Sequence, residues 1–229
     1  MYLNAGPLLW LTATVLAYLV AFGVHARLAY SPLANPVLLA STMLIGLLLI
    51  TGTRYEVYFS GAQFVHFMLG PATVALAIPL FRNLTYVRRS LIPILAALLA
   101  GSVTAILSAV AIMAMLGAPH SVLSSIAVKS TSTPIAMELA KSLGGVASLA
   151  AALVMLTGII GSVIVTPLMN ALRIDNYAAR GFAAGVAAHG LGTARAFQVS
   201  DLAGAFSGMA MAMNGVLTSL LVLLWSLWT

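Results

Sequence analysis

The chain has 229 residues, 62% hydrophobic and 6% charged, with a net charge of +6 from ten Lys and Arg against four Asp and Glu. Soluble domains carry about 25% charged residues, so a water-facing surface cannot be built from this composition and lipid is the expected solvent. Cysteine is absent, which excludes disulfides, zinc–thiolate sites and iron–sulfur clusters. The basic residues gather at the ends of apolar runs, as membrane orientation requires, and this argues against nucleic-acid binding.

The start, Met1-Tyr2-Leu3-Asn4-Ala5-Gly6-Pro7, has no basic region and no small-residue cleavage site, so the first apolar run is expected to stay as a transmembrane helix. Spanning the hydrocarbon core takes about 20 residues of helix. Residues 7–29 meet that length, and after a Ser31-Pro32 turn a second run covers 35–52, opening at Pro36. Residues 53–81 begin Thr53-Arg54-Tyr55-Glu56 and are interrupted by Gly70-Pro71, too broken for one simple span. A basic loop with Arg82, Arg88 and Arg89 leads to a span at 91–116. Residues 121–143 are interrupted again, by Lys129-Ser130-Thr131-Ser132-Thr133-Pro134. A span at 146–171 follows, then 178–200, interrupted by His189-Gly190-Leu191-Gly192-Thr193-Ala194-Arg195. The last span, 203–228, closes with Trp225 and Trp228, which suit an interface belt.

Irregular backbone at membrane depth survives only inside protein or beside a water-filled cavity, and paired broken helices point to a transport site. Pro71-Ala72-Thr73-Val74-Ala75-Leu76-Ala77 is similar to Pro134-Ile135-Ala136-Met137-Glu138-Leu139-Ala140, and Gly101-Ser102-Val103 recurs as Gly161-Ser162-Val163. These matches predict repeat-like halves at about 30–117 and 121–229 within one transmembrane domain, 1–229. Arg54, Arg82, Arg88, Arg89, Arg173 and Arg180 all face the cytoplasm if 55–81 and 121–143 are re-entrant hairpins entering from opposite faces. The alternative is a kinked spanning helix at 121–143, which would put the 82–89 and 172–180 loops on opposite sides. The expected fold is therefore an all-α polytopic membrane protein with inverted repeats and broken helices or re-entrant hairpins.

At the first break, Pro134 suits a first helical turn and Thr133 is the expected cap. The helix N-terminus would offer free N–H groups, Lys129 a charge, and Ser130, Thr131, Ser132 and Thr133 hydroxyls, which together suit a carboxylate. Hydroxyls that merely re-satisfy a broken backbone, with Lys129 snorkelling, are the plainer account. At the second break, Gly190, Gly192 and Ala194 permit close approach, Thr193 adds a hydroxyl, Arg195 could grip a carboxylate, and His189 could carry a proton. Arg195 at a helix end and His189 packed in the core are the plainer account here. Glu138 is a second proton-coupling candidate, or an ion-pair partner of Lys129 or Lys141. Thr73 mirrors the lysine break without a charge, and Asn214, in mid-span, needs a buried partner. Gly181–Gly185 and Gly204–Gly208 spacings suggest close helix packing. His25, His66 and His120 are too scattered for a metal site. No nucleophile–base pair, phosphate loop or carboxylate dyad appears, so neither an enzyme nor a cofactor is expected.

The blocks Lys129-Ser130-Thr131-Ser132-Thr133-Pro134-Ile135-Ala136 and His189-Gly190-Leu191-Gly192-Thr193-Ala194-Arg195-Ala196 resemble the LrgB/CidB family. Gly204-Ala205-Phe206-Ser207 and the Pro71–Ala77 block look like two further family segments, so the similarity covers nearly the whole chain. Ser132 and Ala188 depart from the family pattern, where Thr and Ser are expected. The resemblance implies a bacterial inner-membrane protein, often encoded beside a small LrgA/CidA-type membrane protein. It implies two functions. One is holin/antiholin-like control of murein hydrolases and lysis. The other is transport of small carboxylates, as in the similar plant chloroplast glycolate/glycerate translocator and in relatives linked to pyruvate. The residues themselves suit a carboxylate; together with the resemblance they lead to the expectation of a homo-oligomeric carrier of a small organic anion of the glycolate, lactate and pyruvate class.

Overall fold

The computed structural model describes residues 6–28, 30–31, 34–75 and 77–226. Among them there is no strand. Pro32, Trp228 and the segment before Gly6 lie outside the described residues. The chain divides into two compact units, Met1–Ala75 and Leu76–Thr229.

The first unit holds α1 (Pro7–Arg27), α2 (Pro36–Thr51), α3 (Tyr55–Phe67) and α4 (Leu69–Ala75). α1 has 21 residues, about 32 Å, enough for a hydrocarbon core of about 30 Å. Asn35 caps α2 by accepting from the Val37 and Leu38 amides at 2.9 and 3.2 Å, with Pro36 in the first turn where no donor is lost. α3 lies against α1. Tyr58 meets Thr14 at 3.1 Å and the Trp10 ring edge-on, and a Cβ at Gly61 would overlap the Pro7 carbonyl. The expected interruption at Gly70-Pro71 falls elsewhere. The helix breaks at Met68, and Pro71 sits in the first turn of α4, where it costs no hydrogen bond.

The second unit holds α5 (Ala77–Arg82), α6 (Leu84–Arg89), α7 (Leu91–Met115), α8 (His120–Ala127), α9 (Thr133–Ser142), α10 (Ala147–Ala171), α11 (Tyr177–Val199) and α12 (Asp201–Ser226). With α1, the helices α7, α10 and α12 are long and apolar enough to cross a membrane. Their outward Leu and Ile side chains, such as Ile92, Leu156 and Leu220, are exposed, as a lipid-facing surface requires. Trp225 is exposed at the end of α12. α10 runs on through Pro167, losing one interior hydrogen bond.

α8 and α9 form a hairpin. Ser124 Oγ donates to the Leu143 carbonyl at 2.9 Å, and Ser125 Oγ accepts from the Val146 amide at 2.8 Å. Along one continuing helix, 19 residues would separate Ser124 and Leu143 by about 28 Å. The two arms therefore run antiparallel, and the feet are tied by serine hydroxyls. Gly117 (φ 74°) and Gly144 (φ 72°) make the left-handed turns at the two feet. This is the expected re-entrant geometry for 121–143; a kinked spanning helix is excluded.

α11 is a second hairpin. Its backbone reverses at His189, whose φ of 40° and ψ of −128° are not helical. A Cβ at Gly192 would lie 2.5 Å from the Ala184 carbonyl oxygen and 2.8 Å from the Ala188 Cβ. Residues eight apart on a straight helix are about 12 Å apart, so the arms 177–188 and 190–199 lie side by side. The sequence marked this break without marking the reversal.

The two hairpins enter from opposite ends of α10. The first has its feet at Val146, before α10 starts. The second has its feet beyond the other end, where Arg180 donates to the Ile174 carbonyl and to Asn170 Oδ1. α10 has 25 residues and separates those levels by about 37 Å. Both tips reach the level of Val154, eight residues into α10: Val128 packs in one cluster with Val154, and His189 bonds the Val154 carbonyl. The hairpin that opposes 121–143 is thus 177–199.

Candidate functional site

The residues singled out at the two breaks occupy the two hairpin tips. At the first tip, Val128–Thr131 make two tight turns before α9 begins, with Lys129 bonded to the Ile126 carbonyl and Thr131 to the Val128 carbonyl. Ser132, not the expected Thr133, takes the N-cap position, because its extended backbone lets its carbonyl accept the first helical bond from Ala136 at 2.9 Å. No side chain caps this end, so the first-turn N–H groups and the dipole's positive end are directed at the tip. Pro134 fills the first turn and is exposed, whereas Ser130 and Thr131 are buried. Thr131 Oγ1 donates to the Val128 carbonyl at 2.9 Å, and Lys129 Nζ to Ser130 Oγ at 3.3 Å.

At the second tip, His189 is 5% exposed and its Nε2 lies 2.9 Å from the Val154 carbonyl. That carbonyl only accepts, so this contact fixes the proton on Nε2. The tip fits because α10 carries glycines there: a Cβ at Gly158 would meet the His189 ring at 2.6 Å, and one at Gly161 would overlap Ala188. The left-handed φ of a non-glycine residue costs about 1–3 kcal/mol, which this buried contact helps to hold. Thr193 Oγ1 bridges the His189 carbonyl at 2.8 Å and Ser207 Oγ on α12 at 3.0 Å. Val128 beside Lys129 packs on Val154 and His189 bonds the Val154 carbonyl, so the two tips meet at the same level of α10.

Asn214 joins them. Its Nδ2 donates to the Ser130 carbonyl on the first tip at 2.9 Å and to the Val186 carbonyl on the second hairpin at 3.4 Å. Its Oδ1 accepts from Ser102 Oγ on α7 at 2.5 Å. Asn214 is 1% exposed and Ser102 likewise. Ser102 and Ser207 were not expected as site residues. Each stood inside a quoted block, Gly101-Ser102-Val103 and Gly204-Ala205-Phe206-Ser207, but a serine in an apolar run carries no sign of its partner.

Two expected residues are elsewhere, and a third belongs to the first unit. Arg195 lies six residues past the tip, about 9 Å along the returning arm. It lines a small separate cavity with Arg180, Tyr177 and Thr166, and its Nη1 donates to Gln198 Oε1 at 3.0 Å. Glu138 pairs with Lys141 at 2.8 Å with both side chains exposed, so it takes the ion-pair option on its own helix. Thr73 lies in α4 of the first unit, with its side chain outside the described part. The GxxxG spacing works within the chain. A Cβ at Gly181 would overlap the Ala203 carbonyl and one at Gly185 the Ser207 carbonyl, seating the first arm of α11 directly on α12.

Residues 14–228 match the family model described as the LrgB-like family. The uncharacterized protein YwbG of Bacillus subtilis is 36% identical over 205 residues, covering 90% of this chain and 91% of the relative. YxaC of the same organism is 34% identical over 206 residues, 90% and 89% of the two chains. The holin-like protein CidB of Staphylococcus aureus (strain N315) is 29% identical over 215 residues, 94% and 93% of the two chains. No solved structure matches the chain.

Proposed function

This chain belongs to the LrgB-like family, and from that premise we propose that it carries a small organic anion across the membrane. The anion is a monocarboxylate of the glycolate, lactate and pyruvate class, held where the two hairpin tips meet. The observation that carries this reading is Lys129 at a hairpin tip that reaches the level of Val154, about 10 Å inside the start of α10, beside the uncapped start of α9 and the tip that holds His189. A charged side chain at that depth is costly and marks a solute pathway, and a helix N-terminus beside it favours an anion. His189 is the group that would accompany the anion with a proton. Arg195 would steer the anion from its own cavity rather than grip it at the tips.

The test is uptake of labelled glycolate, lactate and pyruvate into proteoliposomes, with and without an inward proton gradient. Saturable uptake should fall at least tenfold in Lys129→Ala, recover in part in Lys129→Arg, and fall less in Arg195→Ala. Saturable uptake that is unchanged in Lys129→Ala would falsify the assignment.

A second reading is a holin/antiholin-like regulator of murein hydrolase activity and lysis in the bacterial cytoplasmic membrane, acting with a small LrgA/CidA-type membrane protein. The name of the staphylococcal relatives supports it, and more directly than any relative's name supports transport. It predicts a lysis phenotype that is indifferent to Lys129→Ala and dependent on the small partner. Co-reconstitution with that partner separates a regulator from a carrier that needs help.

A further inference from the structure

The second unit carries a cleft that neither tip uses. α7 and the first arm of α11 wall a cleft of about 490 Å³. Ala97, Gly101 and Ala105 line one wall and Ala179, Ala183 and Ala187 the other, each set at a spacing of four, so that one face of each helix is stripped of bulk. No charged residue lines the cleft; its two polar lining residues, Ser90 and Asn176, stand at its mouth, where α7 and α11 begin. An aqueous path for an anion would need polar walls throughout, and these are apolar.

The mouth is basic. Arg88 and Arg89 are exposed and directly precede Ser90, and Arg173 is exposed three residues before Asn176. Arg180 is close by but engaged with Ile174 and Asn170. One carboxylate, Asp175, stands among them and is also exposed. The cleft wall from Ser90 to Ala105 spans fifteen residues, about 22 Å. Half of a bilayer with its headgroup layer is about 20–22 Å thick. The cleft therefore starts at headgroup level and ends near the midplane, the length of one leaflet.

We propose that this cleft holds an acyl chain of an anionic phospholipid, whose phosphate is bound by Arg88, Arg89 and Arg173. Guanidinium groups bind phosphate oxygens through paired hydrogen bonds, and basic groups between helices at a membrane face select anionic lipids. The lipid fills space that side chains leave empty between α7 and α11, and so supports the arm that ends at His189.

The absence of cysteine allows a direct test. Ala97→Cys is labelled with bimane, and the full-length protein is reconstituted with phosphatidylcholine or phosphatidylglycerol brominated in the acyl chains. The anionic brominated lipid should quench the probe severalfold more than the zwitterionic one. That preference should vanish in Arg88→Gln/Arg89→Gln/Arg173→Gln, and quenching should drop when Ala183→Phe fills the cleft. Equal quenching by both lipids would overturn the headgroup selection. Quenching by aqueous iodide instead would make the cleft a water-filled vestibule. No quenching by either would mean that protein, such as a helix of a second copy, covers it. None of these readings depends on transport.

Discussion

The Asn214 amide makes three of the four hydrogen bonds open to it: both N–H donors are used and its oxygen accepts once. The oxygen accepts from a hydroxyl and the nitrogen donates to two carbonyls. From α12 its side chain bonds α7 and both hairpins. Asn214→Leu keeps the branched shape, adds bulk, and orphans Ser102 and two carbonyls, each at about 1–3 kcal/mol. Asn214→Asp keeps the acceptor and loses both donors. Both variants should unfold at clearly lower temperature in detergent than the parent. An Asp variant as stable as the parent would show that the two carbonyl bonds contribute nothing. If the chain carries an anion between the tips as proposed, a viable Asn214 variant, lacking the bonds that join them, should also release it faster.

At the level of elements, the hairpin of α11 is held by contact of backbone with backbone. Gly181 and Gly185 let its first arm rest on the carbonyls of Ala203 and Ser207, and Gly204 makes room for the Phe197 ring of the returning arm. Carbonyl oxygens in a helix cannot move aside as a flexible side chain can. Gly185→Ala should therefore prevent the arm from docking, seen as loss of a monodisperse peak and faster proteolysis of 177–199. Gly190→Ala is the control: its Cβ would meet only Met211 Sδ, at 3.9 Å. It should leave the fold intact. If both variants behave alike, the docking argument fails.

At the level of the molecule, two hairpins entering from opposite faces make a prediction about sidedness. Single cysteines at the exposed Leu116 and Ser142, one at each foot, should react with an impermeant thiol reagent from the same side. Cysteines at Ile174 and Ser200 should react together from the other side. Labelling of positions 116 and 142 from opposite sides would contradict the hairpin. Much of this architecture was legible. The spans at 7–29, 91–116, 146–171 and 203–228 follow from length and hydropathy, and the breaks at Lys129 and His189 follow from polar and small residues at membrane depth. The reversal at His189 was not legible, because a glycine-rich break reads the same whether the chain bends slightly or doubles back. The distance of Arg195 from Lys129 was hidden for that reason: on a returning arm, six residues lead away from the tip. The Gly70-Pro71 signal marked a real interruption but displaced it by two residues: Pro71 cannot donate to the Phe67 carbonyl, so the helix breaks at Met68 and proline falls in the first turn of α4.

His189 is anchored to the main chain of α10, at the Val154 carbonyl, rather than to a side chain. No substitution at position 154 deletes that acceptor, so a mutational scan would score the site as an ordinary apolar position. An insertion would behave differently. One extra residue between Val146 and Val154 turns every later carbonyl by about 100° while the serine-tied feet of the first hairpin stay in place. The two tips are thus kept in phase by the residue count of α10, and changes of chain length there, more than changes of chemistry, would uncouple them.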